Sequence, residues 1–248
     1  MDKLLLVKLG GSVITDKSKP YTPNLKNIRR FADDLARHRG KLIIGHGGGS
    51  FPHTPAKKYQ THLGLINRNS LQGVVEVQEA AWSLNRIVVH ELLIKKMKVM
   101  TFAPSSILVG NGGRLQMGFL DTLEMGLSLG VTPVVFGDVV LDTKQGCMIA
   151  STEVIFDLIV AKLAKQYDIK IIHVSDVRGV MDEKGKVISV INTRNYKKVK
   201  TAVTGSKLTD VTGGMIHKVE ESLALAKKYG IEVVIGNNVK GVGGTKIL

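Results

Sequence analysis

KLIIGHGGGSFPH, Lys41 to His53, is the stretch on which the reading of this chain turns. Leu42 to Ile44 is a short apolar run of strand type, and it passes straight into Gly47, Gly48, Gly49 and Ser50. Glycines at a strand end let the backbone come close to a ligand and turn its N–H groups toward an anion. His46 and His53 bracket the loop. The stretch predicts a phosphate cradle with an imidazole at its rim. A tight strand-to-helix connection that binds nothing is the alternative. Three glycines in a row weigh against it, because glycines destabilise a chain whose conformation does not need them.

The pattern repeats upstream. Leu4 to Leu9 is an apolar strand interrupted by Lys8, and Gly10, Gly11 and Ser12 follow it. A lysine inside such a strand is costly unless its ammonium emerges at a polar site. Thr15, Asp16 and Lys17 lead into SKPYTP, a loop by its Pro and Ser content. Asn24 caps a predicted helix with Leu25, Ile28, Phe31, Ala32 and Leu35 on its apolar face, and Gly40 ends it.

Downstream, Thr54 to Ser70 is polar and basic, and reads as a mobile or partly helical insertion near the site. A long helical pattern, Leu71 to Lys96, runs through Val74, Val77, Ala81, Leu84, Val88 and Leu92. Lys98 to Phe102 is a strand stopped by Pro104, and Asn111 to Gly113 is a turn. Leu120 to Leu129 is a short helix, and Val131 to Phe136 is a strand ending in Gly137–Asp138. Ser151 caps a helix through Ile155, Leu158, Ile159 and Leu163. Lys170 to Val174 is a strand ending in Ser175–Asp176, and Asp182 to Gly185 is a hairpin tip. Asn195 to Val203 is a small helix, Gly213–Gly214 opens a helix to Tyr229, and Glu232 to Ile235 is a strand. GVGGTKIL closes the sequence as a turn and a short edge strand.

Strands alternating with helices specify an α/β fold with right-handed crossovers: a mostly parallel sheet with helices on both faces. Ligands of such sheets bind beyond the carboxyl ends of the strands. The polar punctuation falls at those ends, at Gly10–Ser12, Gly47–Ser50, Gly137–Asp138 and Ser175–Asp176.

Composition bounds the rest. The 248 residues, 44% hydrophobic and 23% charged, suffice for one domain over 1–248. A formal net charge of +14 favours anionic partners, from phosphorylated metabolites to nucleic acid. Lysine groups such as Lys95–Lys96–Lys98 and Lys197–Lys198–Lys200 read as solvated helix faces. Aromatics at 5% argue against stacking platforms for single-stranded nucleic acid. A single cysteine, Cys147, permits no disulfide within the chain and fits a reducing compartment. No apolar run has the length of a signal peptide or a membrane span, so a soluble cytoplasmic protein without a membrane partner is expected.

The common nucleotide and metal motifs fail. No G-x-x-x-x-G-K-[ST] occurs, and GVGGTK has the wrong order. Gly45, Gly47 and Ser50 fit the dinucleotide fingerprint only in part, and no acid stands between Phe51 and Val75. His90–Glu91 opens a zinc-protease string, but Ile94 stands where the second histidine belongs. Glycines, lysines and two aspartates remain, which is the equipment of phosphoryl transfer: N–H groups around phosphates and cations near the transferring group.

KLGGSVITDK (Lys8–Lys17), GHGGGSFPH (Gly45–His53), PVVFGDVV (Pro133–Val140), SDVRGVM (Ser175–Met181) and DVTGGMIHKV (Asp210–Val219) occur in that order. Together they resemble the amino-acid kinase superfamily, and within it the isopentenyl phosphate kinase branch. The resemblance spans nearly the whole chain. It implies a three-layer αβα sandwich of amino-acid kinase type. Its N-lobe, about 1–165, would serve the acceptor, and its C-lobe, about 166–248, the nucleotide. It further implies ATP with Mg²⁺, isopentenyl phosphate as acceptor and a homodimer.

The implied roles follow the motifs. Lys8, Gly10, Gly11 and Ser12 would hold the ATP phosphates, and Lys17 would stabilise the transferring group. Gly48 and His53 would bind the acceptor phosphate, with Gly49 nearer the nucleotide and Gly137 on the acceptor side. Asp176, Gly214 and Lys218 would belong to the ATP side, Lys218 as a further catalytic cation. No metal ligand is assigned. A phosphate acceptor is already a nucleophile, so His53 would position it rather than deprotonate it. Three departures stand out: Pro52 in place of glycine, Glu153 in place of aspartate, and Met181 in place of tyrosine. The apolar tail of the acceptor is expected against Val74, Val75 and Trp82. Two other readings compete. One is a sister kinase of a phosphonate such as fosfomycin. The other is a nucleic-acid-binding protein using the net charge, against which Lys8, Lys17 and Lys218 together weigh.

Overall fold

The computed structural model describes residues 1–204 and 214–248. Its strands are β1 (Asp2–Leu9), β2 (Lys41–His46), β3 (Val99–Thr101), β4 (Leu108–Gly110), β5 (Leu115–Gly118), β6 (Thr132–Phe136), β7 (Asp138–Asp142), β8 (Gly146–Ala150), β9 (Tyr167–Val174), β10 (Val190–Ile191), β11 (Glu232–Gly236) and β12 (Thr245–Ile247). The helices are α1 (Gly11–Ile14), α2 (Leu25–Ala36), α3 (His53–Tyr59), α4 (Ser70–Ile94), α5 (Pro104–Ile107), α6 (Asp121–Ser128), α7 (Thr152–Leu163), α8 (Tyr196–Thr204) and α9 (Gly214–Tyr229). The main sheet has the order β10-β12-β11-β9-β1-β2-β6-β3, parallel throughout except for β12 against β11. It takes strands from both sides of residue 165.

The period of two sorts each strand between two cores. Leu4 and Leu6 of β1, with Ile169 and Ile171 of β9 and Val233 and Ile235 of β11, face one core, to which Phe156 and Ile159 of α7 and Val219 of α9 contribute. Val7 and Leu9, with Ile172, Val174 and Val234, face the other, filled by Phe31 and Leu35 of α2 and Leu84 and Val88 of α4. Helices on both faces make the three layers expected. Continuing the alternation puts Lys8 on the α7/α9 face, at the carboxyl end of β1.

Caps fall where expected: Asn24 accepts from Asn27 N and Ser151 from Val154 N. The Asp182–Gly185 turn is closed by Gly185 N donating to Asp182 O at 3.0 Å.

Four expectations are corrected. Helix α2 ends at Ala36 with Arg37 as its cap, and Gly40, at φ +117, belongs to the loop before β2. Leu25, expected on the buried face of α2, is exposed because it lies in the opening turn. β12 is not an edge strand: it lies between β11 and β10. A second sheet, β5-β4-β7-β8, escaped the sequence reading. Its strands are short, and β7 follows β6 with only Gly137 between them, where the sequence reading ends the strand at Gly137–Asp138 and places none after it. Asp142 ties this sheet together: it accepts from Gly112 N and Gly113 N of one hairpin and Lys144 N and Gln145 N of the other. Those four N–H groups hold its carboxyl down to about 2 against the desolvation that would raise it.

Candidate active site

The polar loops predicted at strand ends lie side by side. Each strand's ladder continues one bond into its neighbour's loop: Ser175 N donates to Gly236 O, Gly10 N to Val174 O, Gly47 N to Leu9 O, and Gly137 N to His46 O, at 2.7–3.0 Å. The loops are thereby fixed in sheet order from β11 to β6. Above them opens a cavity of about 770 Å³.

Why there are glycines is now visible. A Cβ on Gly11 would stand 2.4 Å from Gly49 N, and one on Gly47 2.7 Å from Gly11 N. The loops after β1 and β2 touch backbone to backbone. Thr15 sews them: its Oγ1 donates to Gly11 O at 2.7 Å and accepts from Ser50 N at 3.0 Å. Gly49 holds φ +54, where a Cβ would meet Thr15 Oγ1 at 2.1 Å. Interlocking thus accounts for Gly11, Gly47 and Gly49 without reference to a ligand, and the backbone of all three still lines the cavity.

Pro52 fits without distortion. It enters α3 at φ −70 and ψ −21, where proline's fixed φ suits a helix start, and its ring lies over Gly48, so a Cβ there would be 2.1 Å from Pro52 Cγ. His53 is the next residue, at the cavity rim. The two flanking histidines part company. His46 is buried, stacked on Phe136, with Nδ1 3.1 Å from Gly47 O and Nε2 3.2 Å from Asn85 Oδ1. It is a core residue, and desolvation keeps it neutral. The His53 pKa is also lowered, by desolvation first and then by the Lys17 ammonium, with the residue exposed at the rim.

Lys8 is 8% exposed. Its ammonium forms an ion pair with Glu153, the second residue of α7. That helix is brought over β1 by close packing. A Cβ on Gly45 would meet Thr152 Cγ2 at 2.5 Å, and Thr152 Oγ1 donates to His46 O at 2.7 Å. Burial, then the charge of Lys218, presses the Lys8 ammonium down to about 7, against the pull of Glu221. The Glu153 carboxylate in contact pulls the same way as Glu221, so we take Lys8 as charged at neutral pH.

Of the predicted site residues, Lys8, Gly10, Gly11, Ser12, Lys17, Gly48, Gly49, His53, Gly137 and Lys218 line this one cavity. Asp176 does not: it is exposed in the loop beyond Ser175. Gly214 is the first residue of α9, and Gly213 lies outside the described residues. The expected tail contacts shift too. Val75 is 59% exposed and Trp82 packs edge-on against Phe136. Val77, with Ala56 and Ile149, lines the cavity instead, because the helical period turns position 77 inward. Ser175 and Asp138, predicted only as polar strand ends, also line it, as do His173 and Thr152, to which sequence reasoning assigned no role. A further cavity of about 900 Å³ opens at the amino ends of the strands, by Lys3, Arg37 and Lys240. It holds none of the loop N–H groups, so we assign the chemistry to the smaller one.

His173 carries a measurable pH consequence. Burial, then Lys8 and Lys218, lower its pKa from 6.5 to about 3. The unfolded chain therefore takes up a proton that the folded chain refuses, and stability falls as pH drops from 6.5 toward 3. Between pH 6.5 and 5 this amounts to about 2 kcal/mol. A His173→Leu variant is expected to lose that much less stability than the parent over the same interval in urea unfolding. Equal losses overturn the assignment.

The amino acid kinase family matches residues 3–237. The chain belongs to the amino acid kinase family. Among family members, the isopentenyl phosphate kinase of Methanocaldococcus jannaschii is 33% identical over 228 residues, 88% of this chain and 85% of the relative. That of Methanothermobacter thermautotrophicus is 30% identical over 248 residues, 94% and 91% of the two chains. A crystal structure of an isopentenyl phosphate kinase superposes with TM-score 0.82 at 26% identity, covering 99% of this chain and all of that one. This family member therefore has the expected αβα architecture, with the loop residues and lysines of its resemblance motifs converging on one cavity.

Proposed function

We propose that this chain transfers the γ-phosphoryl group of ATP to isopentenyl phosphate, giving isopentenyl diphosphate and ADP. One observation carries the reading: Lys8, Lys17, Lys218 and His53, scattered over the sequence, line one cavity at the carboxyl ends of the strands, beside an apolar wall of Ala56, Val77 and Ile149. The similarity to isopentenyl phosphate kinases over most of both chains supports it.

An acceptor phosphate oxygen attacks the γ-phosphorus in line. The bond from that phosphorus to the β,γ-bridging oxygen breaks, and its electron pair leaves with ADP. No base is needed, since the nucleophile is already an anion. The task of the protein is to bring two anions together and to meet the charge spread over the transferring oxygens. Lys8 and Lys218 face the nucleotide phosphates and Lys17 the group in flight. N–H groups of Gly11, Ser12 and Gly49 take the polyphosphate, and the Gly48 N–H and His53 take the acceptor; Gly10 and Gly137, whose N–H groups are held by Val174 O and His46 O, give the ligands close backbone on either side. Neutral His53 has one N–H to donate to a phosphate oxygen. The C-lobe, about 166–248, is assigned to the nucleotide and the N-lobe to the acceptor, with the homodimer of the family resemblance and a cytoplasmic site of action. Leu93, Ile94 and Met100, exposed by the free edge of β3, offer apolar surface for that dimer. A sedimentation measurement that returns a monomer overturns it. No helix among the described residues is long and apolar enough to cross a membrane.

Magnesium would neutralise charge on the β- and γ-phosphates. The described residues hold no cluster of three or more metal-ligating side chains. The carboxylates lining the cavity are engaged, Glu153 by Lys8 and Asp138 by Ser105 N and Val139 N. The site suits an ion carried mainly by the phosphates and water.

ADP release with Mg–ATP and isopentenyl phosphate tests the reaction. His53→Ala is expected to raise the acceptor KM by about 10- to 100-fold, the value of a hydrogen bond to a charged group, with the ATP KM little changed. An unchanged acceptor KM removes His53 from the site. Turnover on fosfomycin but not on isopentenyl phosphate reassigns the acceptor. Val77→Ala should raise kcat/KM for a longer prenyl phosphate relative to isopentenyl phosphate by about tenfold, the worth of one or two methylenes. An unchanged ratio places the tail elsewhere.

A further inference from the structure

His173 lines the cavity yet has no part in the reaction described above. The register places it: on β9 it stands opposite Lys8 of β1 on one side and Ile235 of β11 on the other. Paired residues of a parallel sheet point to the same face, so the imidazole and the Lys8 side chain rise together toward α7 and α9. His173 also borders a small void between those helices, with Glu153, Asp157, Lys218 and Glu221 around it. The charged groups facing it are therefore Lys8 from β1, Glu153 and Asp157 from α7, and Lys218 and Glu221 from α9. The residue is 8% exposed, and its Nδ1 has no hydrogen-bond partner among the described residues.

A buried polar atom left unpaired is costly. Burial first, and then the two ammonium groups close by, hold the ring neutral, and a neutral ring with its hydrogen on Nε2 offers Nδ1 as an acceptor. Lys8 already has Glu153. Of the donors that border the void with it, Lys218 and Ser222, only Lys218 also lines the site cavity.

We propose that His173 is a positioning residue for Lys218: its Nδ1 accepts a hydrogen from the Lys218 ammonium and aims that group, alongside Lys8, at the nucleotide phosphates. A neutral acceptor steers a cation without cancelling its charge. A carboxylate in the same place would neutralise one of the charges the phosphates need, and a leucine would leave the lysine unguided. The proposal rests on the nucleotide assignment above and concerns which residues make that side competent.

A double-mutant cycle tests it. His173→Leu and His173→Gln are made alone and with Lys218→Met, and ATP affinity is measured by calorimetry beside kcat. His173→Leu is expected to weaken ATP binding about fivefold, because the ammonium keeps its charge and loses only its aim. His173→Gln should recover most of the loss, and His173→Leu should cost nothing further once Lys218 is methionine. The same loss in both backgrounds makes His173 a packing residue and overturns the proposal, as does no loss in either. The affinity arm requires no acceptor, so failure to turn over isopentenyl phosphate would sink the substrate reading alone. A parent chain that binds no ATP overturns both.

Discussion

Lys8→Met is expected to lower kcat by about 10²- to 10³-fold, the range for removing one charge-stabilising donor from a transition state. It is also expected to destabilise the fold, and the two effects have different origins. The ammonium is paired with Glu153, with the two side chains 10% and 18% exposed. Removing it leaves a carboxylate in a desolvated place, and breaking such a pair from one side costs about 3–5 kcal/mol. Because Glu153 keeps some contact with solvent, the lower end applies. Lys8→Met with Glu153→Gln removes both charges and should recover most of the stability while kcat stays low. Urea unfolding and steady-state kinetics on the three proteins separate the effects. Recovered turnover in the double variant would make Lys8 a structural lysine.

Gly11→Ala should disable both halves of the site at once. Its methyl group would lie 2.4 Å from Gly49 N and 2.7 Å from Gly49 Cα. Both neighbours are backbone, so no rotamer change relieves the clash. Separating the loops breaks the Thr15 bonds to Gly11 O and Ser50 N. We expect about 3 kcal/mol of destabilisation, the upper end for overpacking. The KM values for ATP and for the acceptor should rise together, because one loop faces each. Gly137→Ala is the contrast: there the added carbon meets nothing closer than 3.6 Å. It should fold like the parent. A Gly11→Ala protein with parental stability would refute the interlock.

The positions most legible in the sequence were those where an apolar run meets glycine. Gly10, Gly47 and Gly137 announced strand ends, and those ends are where the cavity lies. Lys8 was legible because a charge in an apolar strand has to go somewhere. The second sheet was not, since strands of three to five residues carry too little alternation. The partner of Lys8 was not legible either: Glu153 drew notice only as a departure from the resemblance, and its contact spans 145 residues. His46 was noted only as flanking the loop, with no place assigned to it. Whether a histidine beside a glycine loop faces ligand or core depends on the face it takes, which a few residues of strand do not fix.

The seam on which the site rests joins distant parts of the chain. β1 lies between β2 and β9, and Leu9 is in register with Val174. Nucleation near the amino terminus can form the β1–β2 crossover early, but the nucleotide half must wait for a strand from far downstream. Long-range parallel pairings of this kind fold slowly. A nascent chain halted before residue 167 has the glycine loops, Lys8 and Lys17 but neither β9 nor Lys218, so activity during synthesis should appear late and abruptly. The same division suggests a place to split the polypeptide. Two fragments cut in the Lys184–Gly185 turn, outside the strands, would regain activity only on reassociation.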